Sequence, residues 1–164
     1  MNAELMIFME TLINIEQNMA KLYWAFSGAY PKDADFWNGL AKEEDSHARL
    51  LQSNQELILK TPELHKLLFS SSLESLNSVN DRIRKILNNI DSGQPPSHLD
   101  CFVIALQLEQ SAGDSHLQHV MNSKERCRAI EVLQILSEGD HDHCVKIGDY
   151  MKSKSINKFS ESEK

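Results

Sequence analysis

Two Glu-x-x-His pairs, Glu44 with His47 and Glu138 with His141, fall inside helical patterns of apolar residues, and a lone glutamate, Glu16 or Glu109, precedes each. The separations nearly match: 44 − 16 = 28 and 138 − 109 = 29 residues. Composition alone gives about 0.6 Glu-x-x-His pairs in such a chain, so their placement matters more than their number. A carboxylate in the middle of an apolar face is unfavourable unless it is paired, protonated or bound to a cation. Four glutamates carry −4 and two divalent metals +4, while two neutral imidazoles add uncharged ligands, so the chemistry these residues point to is that of a dinuclear metal centre.

Helical spacing decides which face each candidate occupies. Around Glu16 it collects Leu5, Phe8, Met9, Leu12, Met19, Ala20 and Tyr23. Around Glu44 it collects Trp37, Leu40, Ala41, His47, Ala48 and Leu51, and around Glu109 it collects Phe102, Ala105, Ala112, Gly113, His116 and Val120. Around Glu138 the set is Ile135, His141 and Val145 beside Glu131, the least apolar of the four. His116 lies seven residues after Glu109, as Tyr23 lies seven after Glu16, which makes it a further candidate ligand or proton relay. A zinc site from His141, His143, Cys144 and Cys127 is disfavoured, because helical residues two apart point about 200° apart.

Antiparallel helices bring residues level when they are equally far from the turn. The midpoint of Glu16 and Glu44 is position 30, inside Ala29, Tyr30, Pro31 and Lys32, with Asp33 or Asp35 as N-cap of the next helix. The midpoint of Glu109 and Glu138 falls between Ser123 and Lys124, beside Asn122 and Glu125 at capping-box spacing. Each acidic residue thus lies about fourteen residues, roughly 21 Å, from its turn. The expected fold is all-α, two helical hairpins forming a four-helix bundle.

On these residues the chain resembles the ferritin-like di-iron carboxylate superfamily, with rubrerythrins and bacterioferritins nearest in pattern. Its signature is a Glu on each of two helices and Glu-x-x-His on the other two, all pointing into the core. The resemblance spans residues 2–59 and 98–150 and implies metal ligation by Glu16, Glu44, His47, Glu109, Glu138 and His141, with Tyr23 close to the metals. It implies two iron ions, with manganese or zinc also suited to the ligands, and a reaction that reduces peroxide or dioxygen. Bridging roles for Glu44 and Glu138 and terminal roles for Glu16 and Glu109 come from the same resemblance. Leu106 and Ala112 stand where rubrerythrins place a further Glu, and Cys101, Cys127 and Cys144 form no Cys-x-x-Cys pair of a rubredoxin domain. An external electron donor protein is therefore expected. A ferritin-type ferroxidase or iron store, or a metal-free bundle that binds a protein partner, are the competing readings.

Residues 1–151 are expected to form one helical domain and residues 152–164 a polar tail. Within that domain, residues 60–97 are too long for a bare connection. Pro62 to Phe69 can open a short helix behind Thr61, and Leu73, Leu76, Val79, Ile83, Ile86, Leu87 and Ile90 recur at helical spacing until Gly93, Pro95 and Pro96 interrupt them. This amphipathic helix is expected to pack across the bundle or to serve a homodimer. Ser97 with Asp100 can start the next helix. A net charge of −7 argues against nucleic acid. The lack of a long apolar run or basic leader argues against a membrane span or signal peptide, and three cysteines without redox spacing suit a reducing, cytoplasmic setting.

Overall fold

The structure is a computed structural model that describes residues 3–62, 64, 73–116 and 127–156, apart from the side chains of 112–116. The described residues form five α-helices and one short 3-10 turn, with no strand. They are α1 (Ala3–Ala29), the turn Pro31–Asp33, α2 (Ala34–Leu59), α3 (Leu73–Asp91), α4 (His98–His116) and α5 (Arg128–Ser153). Helix α1 packs along α2, α4 packs on α5, and α2 lies beside α5. Helix α3 lies over α1 and α4. A single apolar cluster runs through the bundle, from Leu5, Met9 and Leu12 on α1 through Trp37 and Leu51 to Phe102, Leu133 and Ile147.

The first hairpin turns where expected. Pro31 opens the 3-10 turn, where its missing N–H is harmless, and the amides of Tyr30 and Asp33 donate to Phe26 O and Tyr30 O at 2.9 and 3.0 Å. Asp33 occupies the N-cap position of α2, but its side chain makes no capping hydrogen bond. Its buried carboxylate instead takes His98 Nε2 at 2.6 Å and the Tyr150 phenol at 2.8 Å, tying the turn to the start of α4 and the end of α5. Asp35 lies exposed in the first turn of α2. The start of α4 agrees with the sequence: Ser97 Oγ accepts the Asp100 amide at 3.2 Å and donates to the Asp100 carboxylate at 2.8 Å.

Helix α3 places its apolar stripe within the chain. Leu76, Asn80 and Ile83 are buried, and Asn80 Oδ1 accepts a hydrogen bond from Asn18 Nδ2 of α1 at 2.8 Å. The helix ends in a Schellman motif, with Gly93 at φ 77° and the Gln94 and Gly93 amides returning to Asn89 O and Ile90 O at 2.9 Å. Helix α5 ends the same way: Ser155 takes the left-handed position at φ 54°, the Ile156 amide donates to Met151 O, and the Ile156 side chain is buried. Helix α5 thus runs one residue past Lys152, where the polar tail is expected to begin. The capping box at Asn122 and Glu125, most of the short helix at Pro62–Phe69, the side chain of His116 and residues 157–164 lie outside the described residues. No helix among the described residues is long and apolar enough to cross a membrane.

Candidate metal centre

Four helices carry polar groups into one layer of the core. On α1, Glu16 lies between Leu12 and Ile13 on one side and Met19 and Ala20 on the other, all buried. On α2, Glu44 continues the stripe of Trp37, Leu40, Ala41, Ala48 and Leu51, and on α4 Glu109 follows Phe102, Ala105 and Leu108. Glu16, Glu44 and Glu109 retain only 6, 2 and 2% exposure. The three lone or leading glutamates therefore meet as their spacing predicts.

Helix α5 requires a correction. Its buried stripe is Leu133, Leu136, Asp140, His143 and Ile147, whereas Glu138 and His141 are exposed on the same side as Ile135 and Val145. The structure does not bring Glu138 and His141 to the cluster; it brings His143, and with Asp140 buried three residues before it the inward acid-x-x-His pair is displaced by two residues. Two residues rotate a helix by about 200°, so the two pairs face nearly opposite ways. Five buried positions in steps of 3, 4, 3 and 4 identify the inner face, and they were legible in the sequence. The near-equal separations of 28 and 29 residues drew the choice to Glu138, but the buried acid of α5 stands 140 − 109 = 31 residues after Glu109.

The side chains form two sets with one member in common. Glu16, Glu44 and His47 present ligand atoms within 4.8 Å of one another, as do Glu44, Glu109 and His143. His47 Nδ1 lies 3.4 Å from Glu16 Oε2 and 3.3 Å from Glu44 Oε2. His143 Nδ1 lies 2.8 Å from Glu44 Oε1 and 3.2 Å from Glu109 Oε1. The two imidazoles stack with ring centroids 5.5 Å apart. Glu44 thus reaches both sets, one carboxylate oxygen to each histidine.

Two of these oxygens are orphans. Glu16 Oε2 and Glu44 Oε1 are buried and make no aligned hydrogen bond among the described residues, although imidazole nitrogens lie close to both. Buried carboxylate oxygens are normally satisfied. Two that point at imidazole nitrogens inside a carboxylate cluster have the arrangement a cation would complete, so the residues fit a metal pair.

Electrostatics describe the same deficit. Burial first, then the Glu44 charge, raises the carboxyl of Glu16 and that of Glu109 well above the usual range. Burial, and then the charges of Glu16, Glu109 and Glu44, raise the carboxyl of Asp140 well above its ordinary value. Burial opposes ionisation of Glu44 too, but His143 and His47 outweigh it and hold its carboxyl below the ordinary value. Burial disfavours charge on the histidines, yet the facing carboxylates prevail and push His47 up to about 10 and His143 up to about 11. Protons therefore take the place of cations in the metal-free protein.

No family model, curated protein or solved structure matches the chain.

Residues around the cluster complete its setting. Tyr23 is fully buried and its phenol donates to Glu109 Oε1; burial and then the Glu109 charge hold the phenol protonated. Glu43, which the sequence presents as part of an ordinary charged face, accepts from His143 Nε2 at 2.9 Å and from Lys146 Nζ at 2.5 Å. Lys146 and His143 outweigh its desolvation and lower its carboxyl pKa. With Nε2 engaged there, Nδ1 of His143 is the nitrogen turned to the cluster. Gly139 supplies space: a Cβ at that position would stand 2.5 Å from Cε1 and 2.7 Å from Nε2 of His47. The glycine lets α5 approach α2 with the imidazole between them.

Proposed function

We propose that this chain is a ferritin-like protein whose carboxylate cluster holds two metal ions, most fittingly iron, and reduces peroxide or dioxygen with electrons from an external donor. The observation that carries this reading is the buried carboxylate of Glu44, which is shared by two three-ligand sets. Glu16, Glu44 and His47 would hold one ion, and Glu44, Glu109 and His143 the other, with Asp140 supplying charge to both. When bound, such a metal pair would supply two electrons to an oxidant and positive charge to offset negative charge there. The protein residues do the rest. Glu44 sets the spacing of the two sites, Glu43 fixes the His143 ring, and Tyr23 orients Glu109 through its phenolic hydrogen bond. The apolar layers of Leu12, Met19, Ala41, Ala48, Ala105 and Leu136 exclude bulk water above and below. A reading of the chain as a partner-binding module receives less support, because α3 spends its apolar face on α1 and α4.

Elemental analysis after anaerobic reconstitution with Fe(II) tests the first half of the proposal: about two irons per chain are expected. Stopped-flow mixing of that protein with hydrogen peroxide tests the second half, and a ferric absorbance change should follow. Protein that takes up no metal, or that binds iron and shows no spectral response to either oxidant, refutes the reading.

A further inference from the structure

The aromatic side chains of the bundle form a continuous path with chemically different ends. Trp37 stacks on Tyr23 at 5.6 Å between centroids, and Tyr23 donates to Glu109 of the cluster. In the other direction, Phe36 lies 5.1 Å from Trp37 and 4.0 Å from Tyr150, while Phe102 lies 4.6 Å from Trp37 and 5.9 Å from Tyr150. Two phenylalanines thus bridge Trp37 to Tyr150, a half-buried residue near the end of α5. Core packing accounts for the contacts between rings, but not for their hydrogen bonding.

Trp37 Nε1 is buried without a hydrogen-bond acceptor among the described residues. An indole oxidised there has no base to take its proton, so it stays charged and must be refilled by an electron. Tyr150 is the opposite case. Its phenol donates to Asp33 Oδ1 at 2.8 Å, and the other oxygen of that carboxylate lies 2.6 Å from His98 Nε2. The Lys154 ammonium, 5.6 Å above the Tyr150 ring, disfavours a positive charge on it. Tyr150 is therefore built to lose an electron and a proton together.

We infer that Tyr150, the Phe36 and Phe102 bridges, Trp37 and Tyr23 form an electron-entry relay from the surface to the carboxylate cluster, with Asp33 as the proton acceptor at its outer end. It rests on the metal reading only for the oxidant, a one-electron oxidant of peroxide origin at the cluster that draws on Trp37 through Tyr23. In the step itself, oxidised Trp37 regains one electron and is restored with its N–H intact. Tyr150 supplies that electron; its O–H bond breaks and the proton forms an O–H bond on Asp33. An external one-electron donor then reduces the Tyr150 phenoxyl as Asp33 returns the proton.

Laser-flash photo-oxidation tests the relay without iron chemistry. The full chain, supplied with redox-silent Zn(II), carries Trp24→Phe and Tyr23→Phe, so Trp37 is the remaining indole and the inner phenol is absent. Excitation at the red edge of the indole band, where phenols do not absorb, ionises Trp37, and dissolved oxygen takes up the ejected electron. The oxidised indole is expected to decay as a phenoxyl signal rises. Adding Tyr150→Phe, which keeps the ring stack, should remove that rise and lengthen the lifetime of the oxidised indole by about tenfold. Asp33→Asn should slow the decay with Tyr150 in place, with circular dichroism as the check on folding; Tyr150→Phe decides if that variant unfolds. Equal decay with and without Tyr150 overturns the relay, whereas failure to bind iron removes the metal reading alone.

Discussion

The two hairpins bring carboxylates and imidazoles into the core in different ways. In α1 and α2 a tight turn at Pro31–Asp33 sets Glu16 level with Glu44, and His47 is partly open to solvent, with 14% of its side chain exposed. In α4 and α5 the second acid is Asp140, one methylene shorter than a glutamate, and His143 is fully buried with Glu43 behind it. Gly139, beside Asp140, leaves room for the His47 ring, which a Cβ at that position would meet. The difference teaches that the buried face of a helix decides which acid-x-x-His pair joins the cluster, whatever its separation from the preceding glutamate.

The largest effect is expected from Glu44, which belongs to both halves. Glu44→Ala should reduce metal content from about two ions per chain to near zero by elemental analysis. Retention of one ion would mean that the halves bind independently. The pairs on α5 separate next: Asp140→Ala and His143→Ala should each lose at least one ion, while Glu138→Ala and His141→Ala should bind as the parent does. The reverse pattern would restore the outer face of α5 as the ligand face.

The pH dependence of the metal-free protein should show both halves at once. His47 and His143 rise from an ordinary 6.5 to about 10 and about 11. Between those limits the folded chain holds protons that the unfolded chain has released, so stability falls as pH increases. The raised carboxyls of Glu16, Glu109 and Asp140 add to this fall, starting at lower pH. Glu44 has the opposite sign: its stabilisation is present above the ordinary carboxylate value and is lost in acid. Thermal melting in chelator should therefore show Tm declining from about pH 6.5 to about pH 10, and added metal should flatten the decline by displacing the protons. An unchanged Tm across that interval would contradict the protonated cluster.

Two smaller effects probe the asymmetry. Gly139→Ala must displace the His47 ring and should lower stability by about 1–3 kcal/mol in a urea titration, with loss of the ion nearer α1. Glu43→Gln keeps the shape but removes the charge behind His143, and should weaken metal binding by about tenfold in a competition titration. A larger effect of Glu43→Gln than of Gly139→Ala would make the α4–α5 half the more delicate one.

Much of the architecture follows from the sequence alone. Apolar residues three and four apart placed Glu16, Glu44 and Glu109 on inner faces, Pro31 marked the first turn, and Gly93 with Pro95 and Pro96 closed the amphipathic α3. These are local properties, set by helical periodicity and backbone sterics, so they can be read along a single chain. On α5 two faces competed, and matching separations favoured the one that proved exposed. Which face turned inward is a matter of tertiary packing, and Gly139 there leaves room for the ring of His47, 92 residues earlier in the chain. The roles of Glu43, Asp33 and Tyr150 have the same origin. Each is an ordinary polar residue in its local sequence, and tertiary packing brings its partners from elsewhere.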